Sequence, residues 1–388
     1  MRKIIVVQVI PRMRSGGAEL GCLQVAEALV KAGHRAIVVS AGGRMVEHVL
    51  AIGAEHIEMP LATKNPITLA LNARRLAHLV RAECVDILHA RSRAPAWSAL
   101  IAARHTGTAF VTTYHSEYSE RGRIKNLYNS VMARSDTVIA VSQHMATVIR
   151  ARYRTPDARI AVIPRAFDPT KFDASVVMPE RVAAVRAQFG ASPDDRVVLL
   201  AGRITRRKAQ DHFIEALGIM KLRGASLPLA VLAGEVEKQA FKAELIVRAE
   251  RLGIADRVRI PGFVADMAAA YATSAVLLNI SEFEGLPRVA LEAQAMGCPV
   301  IVSDTGPGRE VALTAPDVAG EAATGLRVPY ADPTALADAI GALLFDEPAR
   351  RAMGERAARH VRASFTLDRL TESTLKVYET VLARRERS

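Results

Sequence analysis

At 388 residues the chain is longer than the roughly 250–300 residues that one hydrophobic core usually serves, so two domains are expected. Half of it is hydrophobic and 24% charged, enough for two packed cores and ordinary for a globular protein. Its three cysteines, Cys22, Cys84 and Cys298, lie far apart without metal-ligand spacing, which argues against disulfides and zinc and fits a reducing cytosol. The net charge of +12 is unevenly spread. Residues 1–173 hold 24 Lys+Arg against 13 Asp+Glu, whereas the remainder holds 28 against 27. Such asymmetry points to a polyanionic partner for the first half. Nucleic acid is disfavoured, because the basic residues are not interleaved with aromatics and no nucleic-acid motif is present. An anionic membrane leaflet or a phosphorylated lipid acceptor suits the pattern better.

In chain order, residues 4–10 read as a first strand. The apolar run there is too short for a leader, lacks a small-residue cleavage site and passes into a glycine turn. Further strands read at 35–39, 85–89, 110–114, 137–141 and 160–163, with helical patterns between them at 18–32 and 65–82. Strand–helix alternation of this kind builds a parallel sheet with right-handed crossovers. The pattern restarts at 196–201, and strands at 229–233, 258–260, 275–280 and 300–303 follow. The proline-containing stretch 164–193, with a helix-like piece at 179–189, marks a junction. The expected division is 1–175, 176–364, and a tail, 365–388, whose amphipathic helix returns to the first domain. No stretch approaches the roughly 18 apolar residues that cross a bilayer, so a soluble or peripheral protein is expected.

Four strand-to-helix junctions carry chemistry. In Ser281-Glu-Phe-Glu-Gly-Leu-Pro-Arg-Val-Ala-Leu-Glu292, Glu284 ends a buried strand and Glu292 lies about two turns into the next helix, which stops at Gly297. Strand ends of open α/β sheets are where ligands bind, and the free N–H groups of a helix start attract phosphate. A carboxylate there suits sugar hydroxyls, and one further along suits a ribose. After the first strand, Arg12-Met-Arg-Ser-Gly-Gly-Ala-Glu19 offers Gly16 and Gly17 for close backbone approach, without a dinucleotide fingerprint. After the strand at 196–201 comes Gly202-Arg-Ile-Thr-Arg-Arg-Lys208, where Arg203 and Lys208 are placed to neutralise a diphosphate. His115, in Thr112-Thr-Tyr-His-Ser116, ends another strand and can exchange a hydrogen bond with a sugar hydroxyl; His89 is a weaker candidate of the same kind. Plain turns and solvated glutamates are the bland alternatives, and Arg206 and Arg207 read as such a solvated loop.

Together these segments resemble the retaining glycosyltransferases of family 4, over nearly the whole chain. The resemblance rests on Gly16-Gly17-Ala-Glu19, Asp86-Ile-Leu-His89, Ala140-Val-Ser142 with Val162-Ile-Pro164, and Gly202-Arg203 with Lys208. It continues through Glu284-Gly-Leu-Pro, Leu291-Glu292-Ala, Gly297-Cys-Pro-Val-Ile301 and Asp332-Pro-Thr-Ala-Leu-Ala337. It implies an α/β GT-B architecture: two facing Rossmann-like, doubly wound parallel-sheet domains with a cleft between them. It further implies that Arg203 and Lys208 bind the donor diphosphate, that Glu284 contacts the donor sugar and that Glu292 meets the ribose. Gly16 and Gly17 would border phosphate and acceptor, His115 would line the sugar site, and the N–H groups of Gly285 and Leu286 would meet phosphate. No cofactor and no metal are implied beyond a nucleotide-diphosphate sugar as substrate.

The chain departs from the family's pattern in three places. Arg165 stands after Ile163-Pro164 where Asn-Gly-Val is common. Thr305-Gly-Pro-Gly-Arg-Glu310 replaces the usual glycine-pair segment, and 313–323 reads as a small insertion. The leading reading is a cytoplasmic hexosyltransferase that acts on a lipid-linked or surface-polysaccharide acceptor, such as lipopolysaccharide, with its first domain on the cytoplasmic face of the inner membrane. The rivals are the same site with a small soluble acceptor, a nucleotide-sugar epimerase of the same plan, and a non-catalytic nucleotide-sugar-binding protein.

Overall fold

The computed structural model describes residues 2–14, 16–118 and 122–387. The chain divides into two compact units, Met1–Arg165 with Leu367–Ser388, and Ala166–Thr366. The first division falls after Arg165, ahead of residue 175, because the linking segment is tied into the second unit: the Phe167 N–H donates to Phe365 O at 3.4 Å, and Arg362 donates to Asp173 at 3.4 Å.

Unit 1 holds β1 (Ile5–Val9), β2 (Arg35–Ser40), β3 (Glu55–Glu58), β4 (Ile87–Ala90), β5 (Ala109–Tyr114), β6 (Thr137–Ala140) and β7 (Ile160–Val162). They form one parallel sheet in the order β3-β2-β1-β4-β5-β6-β7. β1, β2 and β4–β6 are buried on both faces along nearly their whole length, as a sheet covered by helices on both sides requires. Helix starts are fixed locally; Asn65 Oδ1 accepts the Ile67 and Thr68 N–H groups at 2.9 and 3.2 Å, and Pro66 opens helix Pro66–Ala82. The C-terminal helix, Leu367–Glu386, belongs to this unit. Its Tyr378 hydroxyl lies 2.7 Å from His89 Nδ1, while His89 Nε2 lies 2.7 Å from Thr113 Oγ1. His89 is therefore a fully partnered core residue that fastens this helix to β4 and β5.

Unit 2 holds β8 (Val197–Ala201), β9 (Leu229–Ala233), β10 (Val258–Gly262), β11 (Ser274–Asn279), β12 (Val300–Ser303) and β13 (Gly325–Val328). Their order is β10-β9-β8-β11-β12-β13, again parallel throughout. Counted within the unit this is 3-2-1-4-5-6, the doubly wound order of nucleotide-binding sheets. Leu200, Phe213, Leu217, Leu232, Leu278 and Ile340 are among the buried residues of its core. Helix Pro179–Phe189 spans the stretch read from the sequence, and helix Arg288–Ala295 ends at Met296 with Gly297 in the left-handed region.

In each sheet the strand order reverses once, between β1 and β4 and between β8 and β11. Ligands of open α/β sheets bind outside the carboxyl ends of the strands at such a switch point. No helix among the described residues is long and apolar enough to cross a membrane.

Candidate active site

The switch point of unit 2 brings two basic and acidic loops together. The segment after β8 carries Lys208 and the segment after β11 carries Glu284, and Lys208 Nζ donates to Glu284 Oε1. Both side chains are mostly buried, 15% and 17% exposed. Backbone geometry makes the pairing possible. Gly202 has φ +147°, and a Cβ there would lie 3.2 Å from Lys208 Cε, so the lysine stem runs across the glycine. Gly234, with φ +153°, lets β9 approach; a Cβ there would stand 2.0 Å from Gly202 O. The Glu282 N–H donates to Arg207 O at 2.9 Å and ties the two loops together. Gln210, fully buried, accepts the Thr205 N–H at 3.3 Å and donates to Arg203 O at 3.0 Å.

Burial alone raises the pKa of Glu284, but the attraction and hydrogen bond of Lys208, with Arg207 beside it, outweigh burial and hold the carboxyl below its usual range. The Glu284 carboxyl is therefore ionised at neutral pH. After it, Gly285 and Leu286 are buried, and Pro287 precedes helix Arg288–Ala295 with no side-chain cap, leaving N–H groups at the helix start for an anion.

Arg203 and Glu292 lie apart from the Lys208–Glu284 pair in their partners. Arg203 Nη1 donates to Glu237 at 3.0 Å and is 61% exposed, so its guanidinium is engaged with a surface acid rather than with Glu284. Glu292 is buried, accepts from the Tyr271 hydroxyl at 3.0 Å, and faces Arg288 Nη2 at 3.4 Å. Its carboxylate is thereby oriented by Arg288, one helical turn before it, and by Tyr271, which no local pattern announces.

Unit 1 has its own pocket of about 500 Å³ at the carboxyl ends of β1, β4 and β5. Arg12, Arg14, Lys64, Arg91 and Arg93 line it, with Glu19 as the acid among the lining residues. His115 sits at the end of β5. Both its ring nitrogens are buried without a hydrogen-bond partner among the described residues. Burial first, then nearby Arg165 and Arg91, hold its pKa well below the ordinary histidine range, so the ring is neutral at pH 7. A neutral, unengaged imidazole offers a sugar hydroxyl one donor and one acceptor. Arg165, the departure noted in the sequence, donates to His115 O at 3.0 Å. Gly16 is the N-cap of helix Gly17–Lys31, and the Glu19 carboxylate folds back over it, with Oε2 2.3 Å from where a Cβ would stand.

Gln210, Tyr271, Arg288 and Arg91 escaped the sequence reading. Arg91 Nε donates to Gln8 Oε1 at 2.6 Å inside the sheet, which aims it at the pocket. The available signals were a glutamine directly after the basic loop and an arginine following a strand end; each is weak without the fold.

Comparison with known proteins agrees with this geometry. Residues 15–171 match the model of Glycosyltransferase Family 4, and residues 182–360 match that of Glycosyl transferases group 1. Together they span most of the chain, which belongs to the group 1 glycosyltransferases of the family-4 type. An uncharacterized glycosyltransferase of Methanocaldococcus jannaschii is 24% identical over 94% of each chain. The D-inositol 3-phosphate glycosyltransferase of Xylanimonas cellulosilytica is 32% identical over 66% of this chain, which spans 59% of that relative's length. Among solved structures, a glycosyltransferase from Rickettsia africae superimposes with a TM-score of 0.86 at 28% identity, covering 98% of this chain and 99% of that one. The Anabaena protein HepE, crystallised with UDP and glucose, gives a TM-score of 0.83 at 21% identity over 97% of this chain and 100% of its own, a likeness of GT-B fold.

Proposed function

We propose that the protein transfers a hexose from a nucleotide-diphosphate sugar to a lipid-linked or surface-polysaccharide acceptor, with retention of anomeric configuration. Unit 2 holds the donor and unit 1 the acceptor. The observation that carries the reading is the buried Lys208–Glu284 contact at the switch point of unit 2, with the carboxyl held ionised, beside the uncapped start of helix Arg288–Ala295. The UDP complexes of HepE support a nucleotide-sugar donor.

In this reading the Lys208 ammonium keeps two N–H donors for the diphosphate while its third stays on Glu284. Arg203 turns from Glu237 to the same phosphates, and the Gly285 and Leu286 N–H groups add backbone donors. Glu284 then accepts from donor-sugar hydroxyls, Glu292 from the ribose, and neutral His115 orients a hydroxyl at the reacting sugar. Gly16 and Gly17 border the phosphate and acceptor. The bond from the anomeric carbon to the phosphate oxygen breaks as the acceptor oxygen bonds on the same face, and the acceptor proton passes to the departing phosphate. Fixed positive charge stabilises that leaving group, so the step calls on no metal or other cofactor.

The excess positive charge of residues 1–173 supports an acceptor at an anionic surface, with the protein peripheral on the cytoplasmic face of the membrane. A second reading, a small phosphorylated acceptor, is favoured by the compact 500 Å³ basic pocket of unit 1 and by the inositol 3-phosphate relatives. Salt-sensitive co-sedimentation with anionic vesicles separates the two.

The test is turnover with a panel of UDP-, GDP- and ADP-sugars, and NMR of the product's anomeric configuration. Glu284→Ala and Lys208→Ala are each expected to lower kcat/KM by on the order of 10²-fold. Near-normal kinetics in both variants refutes the assignment, and an inverted product refutes retention.

A further inference from the structure

The pocket of unit 1 at the carboxyl ends of β1, β4 and β5 contains a buried cation without a counter-charge. Arg91, directly after β4, lines it and is 4% exposed. Its Nε donates to the neutral Gln8 Oε1 at 2.6 Å, and its Nη1 lies 3.5 Å from where a Cβ on Gly21 would stand. Its Nη2 is buried with no hydrogen-bond partner, and Arg91 makes no ion pair among the described residues. Burying a guanidinium is costly unless an anion compensates it. An unpaired fork on a pocket wall therefore favours an anionic ligand.

The pocket does not supply that anion itself. Glu19 is the acid among the lining residues, and its carboxylate folds back over Gly16 at the start of its own helix, outside ion-pair distance of Arg91. Arg12, Arg14 and Lys64 line the same pocket, none with an ion pair among the described residues. Arg93 stacks on Tyr118, its guanidinium carbon 4.1 Å from the ring centre, and donates to Asn129 Oδ1 at 2.7 Å; both partners are neutral. Five cations thus face one carboxylate, an excess that suits a dianion better than a single carboxylate. Arg91 is close enough to His115 to depress its pKa, and the neighbouring Ser116 Oγ is buried without a partner. The oxygens of one phosphate can accept from a guanidinium fork and from a hydroxyl at the same time.

We propose that this pocket takes the phosphate group of a phosphate ester, anchored on the Arg91 guanidinium with the Ser116 hydroxyl as a second donor. The proposal rests on the reading of unit 1 as the acceptor unit and commits it to a phosphorylated acceptor, soluble or lipid.

The experiment is titration of the full chain with inorganic phosphate at constant ionic strength, followed by nitrogen NMR of the histidine rings. The variant His115→Gln assigns the His115 signals. Phosphate is expected to shift them saturably. Arg91→Gln should weaken that titration at least about tenfold, the worth of one charge-assisted hydrogen bond. Ser116→Ala, which leaves the guanidinium in place, should weaken it in the same direction. Arg104→Gln, in a separate arginine-lined pocket at the amino ends of β5–β7, and Arg203→Ala, in the loop after β8, should leave it unchanged. Unmoved His115 signals overturn the proposal. So does a titration that Arg91→Gln and Ser116→Ala both leave intact, or one that Arg104→Gln or Arg203→Ala removes. Glucose 6-phosphate and vesicles of phosphatidic acid in phosphatidylcholine then separate a soluble source from a lipid one, by which of them displaces inorganic phosphate from His115. Displacement by neither means an adventitious ion only and overturns the proposal. Titration with nucleotide sugars reads the donor loops of unit 2 instead, so failure here is distinguishable from failure of the transferase reading.

Discussion

Replacing Lys208 by methionine separates the charge of this side chain from its packing. The unbranched stem that crosses Gly202 is largely kept, while Glu284, 17% exposed, loses the cation that compensates its burial. Removing one partner of a buried pair costs about 3–5 kcal/mol, and the residual exposure with Arg207 nearby brings the expected loss to about 2–4 kcal/mol at pH 7. The pH dependence carries the sign. In the wild type the depressed pKa of Glu284 contributes stability above the unfolded carboxyl pKa, and this is lost as pH falls through the lower folded value. In Lys208→Met burial is opposed only by Arg207 and Ser281, the folded pKa rises, and the resulting destabilisation fades as pH falls through that raised value. Glu284→Gln added to Lys208→Met should restore stability to within about 1 kcal/mol of the wild type. The assay is urea unfolding followed by hydrogen exchange of peptides from β8 and β11. Equal stability of Lys208→Met and wild type at pH 7, or no recovery in the double variant, refutes the reasoning.

Two further outcomes are expected. Gly234→Ala forces a Cβ onto Gly202 O at a backbone angle that side chains rarely adopt, and should cost more than about 2 kcal/mol and abolish donor binding; a melting curve matching the wild type contradicts the close approach. His89 and His115 are buried neutral, so the folded protein should lose stability as pH falls below the unfolded histidine pKa of about 6.5, each group contributing up to about 1.4 kcal/mol per pH unit. His115→Gln should reduce that slope between about pH 5 and 6 by one group's share; an unchanged slope in denaturant titrations argues that His115 is protonated in the fold.

Much of the fold was legible because interior parallel strands are continuous apolar runs. β1, β4, β5, β8, β9, β11 and β12 each coincide with a predicted strand to within a residue or two. The two strands that went unread, β3 (Glu-His-Ile-Glu) and β13 (Gly-Leu-Arg-Val), lie at sheet edges, where one side has no neighbour and polar residues suffice. The tail helix runs from Leu367 to Glu386, inside the stretch 365–388 read for it, and Arg384 and Arg385 hold its last turn to unit 1. The position of the candidate site was legible where residues neighbour each other along one loop, as with Glu284, Gly285 and Leu286, and where a strand end or a helix start announces itself, as with His115 and Lys208. It was illegible where orientation comes from distant partners. Nothing local pairs Arg203 with Glu237, or Glu292 with Tyr271, and nothing local joins His89 to Tyr378 across 289 positions.

The central claim, that Lys208 grips a donor diphosphate, is tested most directly by calorimetric titration of the protein with nucleotide-diphosphate sugars. The wild type should bind one of them, and Lys208→Ala should weaken that binding by about 1.5–3 kcal/mol, roughly ten- to a hundredfold. Equal affinity of the wild type and Lys208→Ala for the donor that binds would contradict it.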